Sequence, residues 1–132
     1  SARAIETLEA AVEGSGYRAP KGAGVGRGIA VTKQEAGGGE AHASVTLGLD
    51  GSVVLSTPIF EQGTGTYTIL QQVAAECLGM TPERVRIHVW DTDAVANDTG
   101  ISADRGTRLG SQAAHEAADQ GRRESYKLAA EF

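Results

Sequence analysis

The feature that most constrains the fold is a helical pattern enclosed by two strand patterns in the middle of the chain. From Thr66 to Leu78, apolar residues recur at helical spacing, and Gly79 follows as a typical helix end. Strand patterns over residues 52–59 and 84–90 flank this helix. The order strand, helix, strand predicts a β-α-β crossover unit.

A further strand pattern lies upstream of the crossover. Val45, Leu47 and Leu49 alternate with polar or small residues, and Asp50-Gly51 is a strong hairpin signal. We therefore expect an antiparallel strand beside the first strand of the crossover.

A long helix is predicted after the crossover, over residues 103–131. Its glycines each cost about 1 kcal/mol relative to Ala, which leaves a break in the helix open. The expected inward face is made of small residues that allow close packing: Leu109, Ala113, Ala114, Ala117, Ala118 and Gly121. The expected fold class is α+β with two layers, a small mixed sheet with helices packed mainly on one face.

The N-terminal part has its own pattern. Residues 2–13 are predicted to form an amphipathic helix, residues 22–28 a glycine-rich connector, and residues 27–32 a short strand. We expect a single domain over residues 1–132, in which residues 1–26 form the N-terminal helix and connector.

Composition and charge exclude several classes of function. The net charge is −5 and the 12 Lys and Arg residues form no continuous stripe, so nucleic acid is not an expected partner. No apolar run approaches the ~20 residues of a membrane span, and the N-terminus lacks the apolar core of a signal peptide. We expect a cytoplasmic protein that binds no membrane, with the periplasm left open.

Two loops have the composition of ligand-binding helix entrances. Residues 61–68 join a strand to a helix and contain two glycines and three threonines, and residues 97–102 precede the last helix. A helix N-terminus has unpaired N–H donors and about half a positive charge, which suits an anion. In the simpler alternative, Thr64 or Thr66 caps its helix and an acidic loop caps the next one. Two such entrances favour one composite anionic ligand.

Other candidate sites fail on context. The run 22–28 opens a strand rather than a helix, which excludes a dinucleotide fingerprint. The acidic residues 91–98 lack the Gly and Glu positions of a calcium loop, and the three histidines lack metal spacing. The sequence therefore predicts no catalytic residue and no metal ligand.

A longer motif includes the first loop. Residues 63–79 read GTGTYTILQQVAAECLG, which resembles the G-Q-G-T-x-T-x-x-x-Q-x-x-A-E-x-L-G stretch of the xanthine dehydrogenase/aldehyde oxidase family. In that family the stretch lies in the subunit that binds the molybdenum cofactor. Residues 82–87, 91–93 and 98–105 follow in the family's order and spacing. The resemblance covers about residues 16–132.

The resemblance implies that the chain binds molybdopterin. In the family the first loop runs along the pterin side of the cofactor, and the second binds near its phosphate through backbone N–H groups and small hydroxyls. The residues to which this role carries over are Gln62, Gly63, Thr64 and Gly65, and Ser102, Ala103, Asp104, Arg105 and Gly106. The parent reaction would oxidise an aldehyde or an N-heterocycle with oxygen from water. Electrons would leave through iron–sulfur and FAD partner subunits or domains.

Two parts of this sequence depart from the family pattern. Thr64 stands where the family usually has Gln, and Asp104 and Gly106 stand where it commonly has Ser. Because a carboxylate and a phosphate repel each other, either Asp104 points away as a helix-start anion or the binding mode differs.

The remaining catalytic apparatus of the family is expected outside this chain. Family subunits are several times longer, and their glutamate base and G-G-F-G-G-K loop do not occur in these 132 residues. The resemblance implies a segment that does not turn over substrate alone and whose partner is the remainder of the molybdenum subunit. The alternative is a free-standing, non-catalytic module that binds an anion or a partner. Self-association of the isolated chain is also expected.

Overall fold

The computed structural model describes residues 3–95 and 97–131. The chain divides into two compact units, with the boundary between Lys33 and Gln34. The single domain over residues 1–132 stays a prediction, and residue 2, the predicted start of the first helix, lies outside the described residues.

The N-terminal unit contains one helix and an irregular connector. Helix α1 spans Ala4–Gly14, close to the prediction, and none of its residues is buried. The strand predicted over residues 27–32 is wrong, because this segment has no regular structure. The Arg27 guanidinium instead donates to the carbonyl oxygens of Gly16, Tyr17 and Ala19 at 2.8, 3.0 and 3.0 Å. These bonds close the connector into a loop, and residues 27–32 have no neighbouring strand with which to pair in the described part of the chain.

The second unit is built on a three-stranded mixed sheet. Its strands are β1 (Ser44–Leu47), β2 (Val53–Thr57) and β3 (Val85–Val89), in the order β1-β2-β3. β1 and β2 pair antiparallel with Leu47 opposite Val53, across the predicted turn. β2 and β3 pair in parallel with Val53 beside Val85, as the crossover pattern predicts.

Two helices complete this unit. Helix α2 (Thr66–Leu78) connects β2 to β3 through a single 3-10 turn, Pro82–Arg84. Its bounds agree with the prediction, and Gly79 ends it in the left-handed conformation at φ +70°. Helix α3 (Arg105–Ala129) is continuous, without the break that its glycines left open. The predicted α+β fold class is therefore confirmed.

The core lies between one face of the sheet and the two helices. The sheet contributes Val53, Leu55 and Val85, and α2 contributes Leu70 and Ala74. The buried residues of α3 are Gly106, Gly110, Ala114 and Ala118. Their spacing of four places them on one side of the helix, so α3 approaches its neighbours through a strip with almost no side chains.

The predicted inward face of α3 was partly wrong. Ala114 and Ala118 are buried as expected, but Leu109, Ala113, Ala117 and Gly121 are only partly buried. Gly106 and Gly110 occupy the inner positions instead, because the inner strip begins where α3 meets the start of α2. The glycines that looked like helix breakers are therefore packing positions. Within the described residues, no helix combines the length and apolar content of a membrane span.

Methyl groups added to Gly110 and Gly121 are expected to differ in effect. A Cβ on Gly110 would lie 2.8 Å from Ile59 Cδ1, whereas one on Gly121 would lie 3.6 Å from side-chain carbons of Val45 and Leu47. Gly121→Ala therefore raises the free energy of unfolding by about 1 kcal/mol through helix propensity. Gly110→Ala raises the free energy of unfolding by less than this or lowers it, because Ile59 must move to make room for the added methyl group. Urea denaturation measures both, and equal gains would contradict this packing of α3.

Acid is expected to remove a stabilising cluster on α3. Asp119 accepts hydrogen bonds from Arg122 and Arg123, and both bonds lower the pKa of its carboxyl group. The bond from Arg122 has the larger effect. A carboxyl with a depressed folded pKa stabilises the fold above its unfolded pKa of about 3.9, and this stability is lost as the pH falls through the folded value. Asp119→Asn should lower the Tm at neutral pH and have little effect near pH 2. Thermal melts over this range test it, with Glu116→Gln as the control; a pH-independent difference would contradict it.

Candidate functional site

The N-terminal ends of α2 and α3 lie against each other. Thr66, the first residue of α2, is buried, and its Oγ1 lies 2.9 Å from Thr64 Oγ1. A Cβ on Gly106, in the first turn of α3, would lie 3.3 Å from Thr66 Oγ1. The structure thus brings the loop of residues 62–65 beside that of residues 102–106. The part that these residues play in cofactor binding stays a prediction.

The N–H groups of the first loop are bound by the side chain of Glu61. Its Oε1 accepts hydrogen bonds from the N–H groups of Gly63, Thr64 and Gly65 at 2.7, 2.7 and 3.1 Å. Its Oε2 accepts one from the N–H group of Tyr67 at 3.1 Å. The expectation of free N–H donors is therefore wrong for residues 63, 64, 65 and 67. A carboxylate placed just before a tight turn can reach the backbone donors of that turn.

These hydrogen bonds hold Glu61 in its charged form. Desolvation raises the pKa of the Glu61 carboxyl group, but the four backbone hydrogen bonds together outweigh it. The net result is a pKa below the ordinary value of a glutamate. The positive end of the α2 dipole favours the same charged form.

The start of α2 also differs from the simpler alternative. Gly65 is the N-cap residue, and no side chain caps the helix from that position, so Thr64 and Thr66 are not the cap. Gly63 and Gly65 both adopt the left-handed region, at φ +89° and +78°, which glycine adopts without strain. The two glycines therefore allow the shape of the loop, and Glu61 accepts the hydrogen bonds of its N–H groups.

What the first loop offers to a ligand follows from these contacts. Gln62, Gly63, Thr64 and Gly65 are exposed. Because Glu61 binds the N–H groups of residues 63–65, the polar groups that can face a ligand include the Gln62 side-chain amide, the Thr64 hydroxyl and the loop carbonyls.

The second loop is braced by Arg105. Its Nη1 donates to the carbonyl oxygens of Thr99 and Gly100 at 2.6 and 3.2 Å. This side chain therefore ties its own loop together, a use that the sequence did not predict.

Residues 37–39 pack against the second loop. The N–H group of Gly37 donates to the carbonyl oxygen of Ala103 at 2.7 Å. A Cβ on Gly37 would lie 2.9 Å from the carbonyl oxygen of Ser102, and one on Gly39 would lie 2.5 Å from Thr99 Cγ2. The glycine run therefore allows close approach to the second loop.

The second loop enters α3 through a strained backbone. Ala103 and Asp104 adopt φ +46° and +62°, and Asp104 is the N-cap residue of α3. The left-handed region costs a residue such as Ala about 1–2 kcal/mol, and such strain is concentrated at functional sites. Asp104 and Ser102 are both exposed, and no side-chain cap bond forms from Asp104.

The acidic loop does not cap α3, so that alternative is wrong. Asp98 Oδ1 accepts from the N–H group of Gly100 at 3.0 Å, and Asp91 Oδ1 accepts from that of Ala94 at 3.2 Å. Both carboxylates therefore form local turns within the loop. In residues 3–95 and 97–131, no group of three or more His, Cys, Asp or Glu residues could hold a metal ion.

Sequence reasoning missed Glu61 as a residue of this site. The signal was present, since Glu61 directly precedes the glycine–threonine turn whose donors it binds. Gly37 gave a weaker signal, because its partner lies in another part of the chain.

Comparison with known proteins gives the family. The molybdopterin cofactor-binding domain family matches residues 4–132. A probable hypoxanthine oxidase, XdhD, of Escherichia coli K12 is 33% identical over 98 residues, which is 72% of this chain and 10% of that protein. The aldehyde oxidoreductase molybdenum-binding subunit PaoC of the same strain is 39% identical over 71 residues, which is 54% of this chain and 9% of that protein. The chain thus spans about a tenth of the length of these relatives.

Solved structures agree with this assignment. A Cu,Mo-CO dehydrogenase aligns with a TM-score of 0.63 and 25% identity, over 70% of this chain and 12% of that one. Quinoline 2-oxidoreductase of Pseudomonas putida 86 aligns with a TM-score of 0.54 and 31% identity, over 62% of this chain and 11% of that one. With these matches and the two adjoining helix entrances, the chain belongs to the molybdopterin cofactor-binding domain family of xanthine dehydrogenase and aldehyde oxidase type.

Proposed function

We propose that residues 62–65 and 102–106 form one surface, the paired-loop face, which holds part of molybdopterin in a larger molybdenum hydroxylase. The contact between Thr66 and Gly106 supports this most directly. Because of it, two loops that are separated by about forty residues of sequence adjoin, and both belong to the motifs that resemble the family.

The residues of the paired-loop face fit a phosphorylated heterocycle. Ser102 has an exposed hydroxyl group beside the start of α3, and a helix N-terminus with a small hydroxyl suits a phosphate. Gly106 has no side chain, so the two entrances can lie close enough for one ligand to reach both. On the first loop, the exposed Gln62 amide has both donors and acceptors for the edge of a heterocycle.

The role of this chain in the reaction is to bind and orient. When bound, the molybdenum cofactor supplies the redox chemistry of the parent enzyme. The Arg105 side chain holds the shape of the second loop through hydrogen bonds to its backbone, and the Glu61 side chain does the same for the first loop. We assign no catalytic base to this chain, and alone it should not turn over substrate.

The proposed parent reaction is the oxidation of an aldehyde or an N-heterocycle with oxygen from water. The names of the relatives support this class, since they specify a hypoxanthine oxidase, an aldehyde oxidoreductase and a quinoline oxidoreductase. The proposed partners are the remainder of the molybdenum subunit and iron–sulfur and FAD subunits or domains. One relative is itself named as a molybdenum-binding subunit, which supports a multi-subunit enzyme.

A bulky residue at Gly106 is expected to reduce cofactor binding. Gly106→Val adds carbon atoms where even a Cβ lies 3.3 Å from the buried Thr66, so the two entrances must separate. We expect the pterin and molybdenum content of the native protein to fall about tenfold, which corresponds to about 1.4 kcal/mol of binding free energy. Pterin fluorescence after oxidation and elemental analysis measure the two contents.

A matched variant separates cofactor loss from a general packing defect. Gly121→Ala changes a glycine of the same helix that lies against β1, and it should keep full cofactor content. Wild-type content in a folded Gly106→Val protein would contradict the proposed site.

A further inference from the structure

We propose that Glu61 is the built-in anion of the α2 entrance, a positioning residue that fills the place where an external anion would bind. It rests on the proposed function in one respect only: because Glu61 binds these donors, the first loop would face the pterin side of the cofactor, as the family resemblance implies, and not its phosphate. The contacts of Glu61 itself do not depend on the cofactor.

The backbone N–H donors at the α2 entrance are already in use. Four N–H groups, those of residues 63, 64, 65 and 67, converge on one carboxylate within 3.1 Å. Both carboxylate oxygens take part, since Oε1 accepts three bonds and Oε2 accepts one. Bonds from N–H groups to a charged oxygen are about twice as strong as neutral ones. An incoming phosphate would have to break these bonds before it could form its own.

The negative charge of Glu61 also opposes the binding of a second anion at this entrance. Glu61 makes no ion pair with a Lys, Arg or His among the described residues, so backbone donors and the helix dipole alone balance it. A second anion brought to this entrance would meet the carboxylate at close range and be repelled. The entrance therefore binds its own glutamate in preference to a ligand phosphate.

The two entrances differ in the side-chain bonds at the start of their helices. The start of α3 has no side-chain cap bond, and its N-cap residue lies in the left-handed region. Of these two entrances, the α2 entrance carries its own carboxylate on its donors, and the start of α3 has no side-chain cap. These contacts favour the division that the family resemblance implies, in which the phosphate lies at the second loop.

Removal of the carboxylate should convert the first loop into an anion site. We compare the 132-residue chain with Glu61→Ala, Glu61→Gln and the control Glu76→Ala, which removes an exposed carboxylate elsewhere on α2. Amide chemical shifts and Tm are recorded during titration with inorganic phosphate or acetate at constant ionic strength.

The expected result has three parts. In the wild type and in Glu76→Ala, the amide signals of Gly63, Thr64, Gly65 and Tyr67 do not respond to phosphate. Glu61→Ala lowers the Tm, and acetate or phosphate then restores it in a saturable way, with shifts at the same four amides. Glu61→Gln keeps one oxygen acceptor, so its Tm and its response to anions should lie between those of the wild type and Glu61→Ala. Rescue by a free anion is a response that a lost packing contact would not give.

Two results would overturn the proposal. One is a saturable response of the four amides to phosphate in the wild type, a measurement that needs no variant to fold. The other is a folded Glu61→Ala chain whose Tm and amides ignore both anions. Neither result bears on the cofactor content of the Gly106 variant, so this proposal and the proposed function can fail separately.

Discussion

The close approach of α3 to α2 determines the rest of the site. It is possible because the inner strip of α3 has almost no side chains: Gly106, Gly110, Ala114 and Ala118. At its N-terminal end the strip places Gly106 against the buried Thr66, so two loops that are far apart in sequence adjoin. A long helix with ordinary inner residues would stand further from α2 and separate the loops.

The two entrances use similar composition for different purposes. At the first, Glu61 binds the donors of the turn and fixes its shape. At the second, Arg105 binds the loop carbonyls, and Ala103 and Asp104 take up a strained backbone. One loop is therefore closed by its own anion and the other by its own cation. In the proposed function, this division lets two glycine- and hydroxyl-rich loops bind chemically different ends of one cofactor.

The sequence predicted the β-α-β unit, the hairpin and the bounds of α2, because these depend on local periodicity and turn residues. It failed at residues 27–32, where it indicated a strand but the guanidinium of Arg27 binds carbonyls of the N-terminal unit. It also placed Leu109 on the inner face of α3, because a glycine at an inner position looks like a helix breaker from sequence alone. Of the site, the sequence predicted two loops, and the structure places them side by side. It could not predict which donors Glu61 binds, or that Gly37 packs on Ser102, since both depend on tertiary geometry.

The most direct test of this account is a structure of the native protein with its molybdenum cofactor bound. The account predicts pterin density against Gln62 and Gly65, phosphate density at Ser102, and a Glu61 carboxylate still bonded to the four amides. A cofactor bound elsewhere, or a phosphate on those amides in place of Glu61, would contradict it.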